Sequence, residues 1–149
     1  MSDLPTRPHH AFWPARLPRQ LVVPETTLWF NLSVAAARYP HKDATVFFGR
    51  RTRWSELKAT AEALAGWLQS RGVQRGDRVL LYMQNCPQFV AAFYAIQRAD
   101  AVVVPVNPMN LSEELRHYVL DAGARTVLAP QDLWAQVRPL LHEGLAAAA

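Results

Sequence analysis

The sequence predicts an α/β fold: a β-hairpin plus about three parallel strands with flanking helices. Three observations carry that expectation. Short apolar runs of strand length alternate along the chain with longer segments whose apolar residues recur at helical spacing. Residues 84–110, QNCPQFVAAFYAIQRADAVVVPVNPMN, then pack a polar turn, a helix, a strand and an exit loop into 27 residues. Finally, residues 101–106 form an unbroken apolar run, the pattern of a parallel strand covered on both faces.

Each element follows in order. Residues 1–24 are basic and interrupted by Pro5, Pro8, Pro14 and Pro18, with Phe12, Trp13, Leu17, Leu21 and Val22 scattered between them. An extended segment draped over the domain is expected there. Residues 25–145 make the α/β subdomain, and 146–149 an alanine tail. Thr26 or Thr27 caps a first helix bearing Leu28, Leu32, Ala35 and Ala36, which must stop ahead of Pro40. Residues 44–48 and 51–53 read as two strands joined at Gly49-Arg50, where glycine supplies the positive φ of a tight turn. A helix over 55–71 carries Leu57, Ala61, Leu64, Ala65 and Leu68 on one face and stops at Gly72.

Residues 79–83 are the first parallel strand. Asn85 then caps, and Pro87 starts, a helix bearing Phe89, Phe93 and Ile96. Residues 101–106 follow as the second strand and 126–129 as the third. Between them, Asn110-Leu111-Ser112-Glu113 has the spacing of a capping box. Leu111, Leu115, Tyr118 and Ala122 form the inner stripe of the helix that ends at Gly123. The last segment, 131–144, places Leu133, Val137, Leu140 and Leu141 at helical spacing, with Pro139 expected to kink or split it.

Composition bounds the function. A chain of 149 residues, half of them hydrophobic, suits one globular domain; a domain of that size buries roughly 68–70% of the surface it exposes unfolded. The formal charge of +4 is uneven: residues 1–60 hold nine Lys or Arg against four Asp or Glu, and the rest seven against eight. A solvated basic face explains the excess, and phosphate-bearing ligands, acidic partners or anionic headgroups are what it would attract. Basic runs interleaved with aromatics are missing, which argues against nucleic acid. The single cysteine, Cys86, excludes an internal disulfide and is compatible with a reducing compartment. The prolines break any leader-like start, and no apolar run is long enough to span a bilayer. A cytoplasmic protein with at most peripheral membrane contact is expected.

Several segments together resemble a known family. VPETTLWFNLSVAAARYPHKDATVFFGRRTRWSEL, the 84–110 unit and NPMNLSEELRHYVLDAGARTVLA occur in the order seen in the N-terminal quarter of an AMP-forming acyl-CoA synthetase. More narrowly, the chain is similar to the long- and medium-chain fatty acid:CoA ligases of the adenylate-forming superfamily, over about residues 7–145. Trp54-Ser55-Glu56-Leu57 stands where the family has an aromatic-x-Glu-Leu turn. Residues 97–107 stand where it has Leu-Lys-Ala-Gly, an apolar strand and Pro-x-Asn. Asp100 replaces the usual glycine and Arg53 the usual threonine, so the helix after Arg53 must be capped otherwise, for which Ser55 is the candidate.

The resemblance implies an enzyme that joins a fatty acid to coenzyme A through an acyl-adenylate, using ATP and Mg²⁺. Such chemistry needs phosphate-binding amides in a Gly/Ser/Thr loop, a lysine and a metal-binding carboxylate. The six glycines, at 49, 66, 72, 76, 123 and 144, never cluster, and Lys42 and Lys58 are the only lysines. The family's phosphate loop, its aromatic-Gly-x-Thr-Glu segment and its late catalytic lysine have no counterpart here. No catalytic, cofactor-binding or metal residue is therefore assigned, the substrate-binding residues are left open, and no cofactor is expected for these residues alone.

Weaker constellations remain. Asn85-Cys86-Pro87 lies at a strand end and helix start, where open α/β sheets bind ligands, although a capped helix start explains it. Cys86 reads as a reactive thiol or, more simply, a buried small apolar group. Asn107-Pro108-Met109-Asn110 either borders a pocket or turns the chain. His9 and His10 lack a third ligand at supporting spacing, and His41, His117 and His142 are isolated. Glu113 and Glu114 do not face each other and suit a helix start. Phe89, Phe93 and Tyr94 line an acyl tunnel or pack on the sheet.

Two further readings stand beside the ligase piece. One is a non-catalytic interaction or dimerisation module, pairing with itself or with a C-terminal ligase piece, as in a split enzyme. The other, a flavodoxin-like nucleotide binder, lacks a glycine-rich fingerprint. The closing alanines, standing where the family places its next strand, look like a truncation.

Overall fold

The computed structural model describes residues 7–148. Residues 1–6 of the expected extended segment and Ala149 of the alanine tail lie outside the described residues. After a 3-10 turn at Pro8–Phe12, the elements are α1 (Leu28–Arg38), β1 (Asp43–Phe47), β2 (Arg50–Arg53), α2 (Trp54–Ser70), β3 (Arg78–Tyr82), α3 (Pro87–Arg98), β4 (Val102–Val106), α4 (Ser112–Ala122), β5 (Thr126–Leu128), α5 (Trp134–His142) and β6 (Ala147–Ala148). A second 3-10 turn, Gln131–Leu133, leads into α5. The strands β1 and β2 form the antiparallel hairpin. The others form a wholly parallel sheet in the order β4-β3-β5-β6.

β3 is the central strand of the sheet's hydrophobic packing. Because successive side chains point to opposite faces, Val79 and Leu81 enter one core, with Leu32 of α1, Leu57, Ala61, Ala65 and Leu68 of α2, and Ala91, Ala92, Ala95 and Ile96 of α3. Leu80 and Tyr82 enter a second core on the other face, with Leu115 and Val119 of α4 and Val137 and Leu140 of α5. β5 repeats the split, sending Val127 to the second core and Leu128 to the first. Trp29 fastens α1 to the first layer from outside, its ring under Lys58 Nζ at 5.9 Å and the Arg98 guanidinium at 5.6 Å.

The strand expected to be buried on both faces is the edge strand instead. Among the described residues β4 pairs only with β3, Val102 and Pro105 are exposed, and of its five residues Val106 alone is buried. A run of valines reads as doubly buried, but Pro105 lacks the N–H an inner strand would need, and prolines belong on edges. The doubly buried strand is RVLLY of β3, where four of five residues are buried.

Chain ends of helices account for the other differences. Thr27 caps α1 as expected, its Oγ1 accepting from Phe30 N–H at 3.2 Å. Ser55 does not cap α2: its hydroxyl donates to the Pro40 carbonyl at 2.8 Å. Arg53 is the N-cap, and Glu56 Oε2 accepts its backbone N–H at 2.8 Å, half of a capping box. A guanidinium has no lone pair to supply the other half. α4 begins two residues beyond Asn110, so its N-cap is Leu111, whose N–H donates to Glu114 at 2.9 Å. Asn110 turns instead to the Tyr118 hydroxyl at 3.0 Å. The buried stripe of α4 is accordingly Leu115 and Val119, while Leu111 and Tyr118 are exposed. α5 runs through Pro139 unsplit.

The hairpin turn lies one residue earlier than expected. Phe47 pairs with Arg50, which leaves Phe48 and Gly49 as the two central residues, with φ of 47° and 79°. Two positive φ values are the mark of the primed turn that matches strand twist. Glycine adopts this conformation freely, but a phenylalanine there costs about 1–2 kcal/mol. Asp100, in the position of the family glycine, is the other described non-glycine residue of positive φ, at 58°. Aspartate tolerates that region better than most residues.

Candidate functional site

In open parallel sheets the ligand crevice lies beyond the strand carboxyl ends, where neighbouring strands send their connections in opposite directions. Here β3 leads outward to β4 and β5 leads the other way to β6, so the switch falls between β3 and β5. The loops that open from it are Met83-Gln84-Asn85-Cys86 and Ala129-Pro130. Sequence spacing had pointed to the first loop only. Strand order, which decides the second, is set by packing across the sheet and leaves no local mark.

Asn85 is exposed and is not the N-cap of α3. That place belongs to Cys86, in extended conformation at φ −149° and ψ 168°, with Pro87 at the first helical position and no side-chain cap. Proline's fixed φ starts the helix without help. Cys86 is half-buried, neither a sealed core group nor an open thiol. Asn107-Pro108-Met109-Asn110 folds as a closed turn. Asn107 Oδ1 accepts from Met109 N–H at 3.0 Å, and Asn110 N–H donates to the Asn107 carbonyl at 3.0 Å.

Tyr82 ties that turn to the end of β3. Its side chain is buried at the carboxyl end of β3, and its hydroxyl lies 2.6 Å from the Asn110 carbonyl and 3.2 Å from that of Pro108. Burial, then the carboxylates of Glu114 and Asp132, hold the phenol above its ordinary value. The hydroxyl therefore stays a donor and fixes the turn after β4 to the strand beside it. A tyrosine ending an apolar strand is a legible signal, because a buried hydroxyl needs a partner; only the partner's identity requires the fold.

At the opposite, amino edge, Arg78 donates through Nε to the Ala122 carbonyl at 2.7 Å and through Nη2 to that of Gly123 at 2.7 Å. These are orphan acceptors at the end of α4, so this cation is used in capping. Gly123 takes the left-handed conformation at φ 60°, and a Cβ there would meet Arg78 Nη2 at 2.9 Å.

The remaining candidates resolve as structure. Phe89, Phe93 and Tyr94 are half-buried against the first core. Glu114 is consumed in the α4 cap and Glu113 is exposed. His9 and His10 stack edge to face at 4.7 Å, and desolvation, then the charges of His9, Arg19 and Arg7, keep His10 below the usual imidazole value. Among the described residues, no group of three or more His, Cys, Asp or Glu is placed to hold a metal. A separate groove of about 590 Å³ opens between the hairpin, α2 and the start of α3, lined by Phe47, Phe48, Arg50, Arg51 and Pro87 among others.

The residues present do not by themselves fit ATP and Mg²⁺. Gly49 is in the hairpin turn, Gly66 within α2 and Gly123 beyond α4, so among the described residues no glycine-rich loop gathers amides around a phosphate. Lys42 lies over the Tyr39 ring at 4.3 Å, and Lys58 is paired with Glu62 at 2.7 Å. What the carboxyl edge supplies is a fixed frame of loops.

Comparison with known proteins bears on the family and the fold. A family described as AMP-binding enzyme matches residues 32–148. A long-chain-fatty-acid–CoA ligase of Bacillus subtilis is 35% identical over 122 residues, covering 82% of this chain and 22% of that protein. A solved long-chain-fatty-acid-CoA ligase from Archaeoglobus fulgidus superposes with a TM-score of 0.77 at 26% identity, over 86% of this chain and 27% of that one. The N-terminal subdomain of Klebsiella oxytoca NpsA superposes with a TM-score of 0.66 at 26% identity, over 70% of this chain and 28% of that one. The chain thus spans less than a quarter of the length of the curated ligase and corresponds to the N-terminal part of such proteins. With 117 of its residues inside the family match, and a fold that superposes on a solved ligase over 86% of its length, the chain belongs to the AMP-binding enzyme family.

Proposed function

We propose that this chain is the N-terminal portion of an AMP-forming fatty acid:CoA ligase and that it frames the nucleotide and acyl sites without performing the chemistry. In the whole enzyme the reaction would convert a fatty acid, ATP and coenzyme A into acyl-CoA, AMP and pyrophosphate, with Mg²⁺. The observation that carries the reading is the pairing of a long-chain ligase likeness with a carboxyl edge whose 107–110 turn is already bonded to itself, to Tyr82 and to Tyr118. Transition-state stabilisation by phosphate-directed amides and a cation has no assembled donors among the described residues.

The test is direct. The purified 149-residue chain, given Mg·ATP, coenzyme A and palmitate, is expected to release no pyrophosphate above background. Addition of a polypeptide carrying the rest of a homologous ligase is expected to restore turnover. Turnover by the chain alone would overturn the framing role, and failure of every complementing piece would favour a separate interaction module.

A further inference from the structure

We propose that the β1–β2 hairpin docks the protein onto anionic lipid bilayers, with Phe48 as the inserted side chain. Phe48 is 95% exposed at the hairpin tip, its ring edge-on to Phe47 at 4.6 Å, and Val46 beside it is 60% exposed. Phe48 also holds a left-handed backbone, φ 47°, that asparagine or glycine would adopt with less strain. A bulky residue kept in a disfavoured conformation and outside both buried cores marks a surface with a use beyond folding.

The surrounding charge says what that use is. β2 reads Arg50-Arg51-Thr52-Arg53, and all three arginines are exposed. The Asp43 carboxylate bonds Arg51 at 2.6 Å, while Arg50, next to the tip, makes no ion pair among the described residues. An exposed aromatic tip with the Arg50 guanidinium beside it and Arg51 one place further along β2 complements a bilayer interface, where the ring enters the acyl boundary and the cations meet phosphate headgroups. The contact is peripheral, since no helix among the described residues is long and apolar enough to cross a membrane.

The experiment is co-sedimentation of the 149-residue chain with vesicles of phosphatidylcholine, pure or containing about one-third phosphatidylglycerol. Binding is expected to the anionic vesicles and to weaken with added salt. Phe48→Asn, which relaxes the turn, is expected to lower the partition coefficient at least about tenfold. Arg50→Gln is expected to lower it about fivefold. Leu120→Ser, which removes an apolar side chain 54% exposed on α4, is expected to leave it unchanged. Equal binding by Phe48→Asn and the parent chain would overturn the proposal. So would light scattering showing a dimer that Phe48→Asn dissolves, because the tip would then pack on a second copy.

Discussion

Removing the Tyr82 hydroxyl is the sharpest perturbation of the site's frame. Tyr82→Phe keeps the buried ring in the second core and deletes the donor that lies 2.6 Å from the Asn110 carbonyl. An acceptor stranded in a dry interior costs about 1–3 kcal/mol. Asn110 is half-buried, so water can reach part of its carbonyl; a loss of about 1.5 kcal/mol is expected, worth about 3–6 °C in Tm for a domain of this size. Urea unfolding followed by circular dichroism measures it. The pH dependence supplies an independent check. Because burial raises the phenol above 10.0 in the folded state, the unfolded chain ionises first as pH rises past about 10, and the parent protein loses the stability Tyr82 contributes. Phenylalanine cannot ionise, so the gap between parent and variant should narrow above that pH. A variant as stable as the parent at pH 7, or a gap that widens in alkali, would refute the role given to the hydroxyl.

Other outcomes follow from single contacts. Gly123→Ala combines a left-handed backbone with a methyl 2.9 Å from Arg78 Nη2; a loss of about 2–3 kcal/mol is expected. In an Arg78→Ala background the same change should cost only about 1 kcal/mol, which a double-mutant cycle reads. Glu56→Ala removes the acceptor of the Arg53 N–H and should lower stability by about 1 kcal/mol, with Ser55→Ala tested beside it to separate the α2 cap from the bond to Pro40. Asp100→Gly relieves φ 58° and gives back part of the gain as backbone entropy, so calorimetry should show a rise in stability of under about 1 kcal/mol.

Much of the fold was legible because the relevant signals are local. The alternation of strand and helix, the Thr27 cap, the Gly123 stop and the stripe of α2 each follow from spacing within a dozen residues. What went astray depended on neighbours distant in sequence. The valines of β4 read as interior until pairing puts them on an edge, where Pro105 was the clue of greater weight. Ser55 and Asn110 had the right chemistry for caps, but the Pro40 carbonyl and the Tyr118 hydroxyl offered them other partners. At the site, the 85–87 and 107–110 loops were visible as turns after strands. The switch between β3 and β5, the Tyr82 tether and the Arg78 cap all require knowing which strands are adjacent. Phe48 at positive φ was hidden because the glycine beside it suggested a turn centred one residue later.

The all-apolar middle of β3 raises a problem of alignment. With Val79 and Leu81 on one face and Leu80 and Tyr82 on the other, sliding the strand by one or two places exchanges one greasy side chain for another, and hydrophobicity alone would scarcely notice. The polar groups at its two ends notice. Arg78 has to meet the last carbonyls of α4 while Tyr82 meets the turn beyond β4, and a displaced strand would forfeit both. The strand is thereby gauged like a ruler clamped at each end, and variants that lose both clamps should keep their secondary structure while losing a unique pairing.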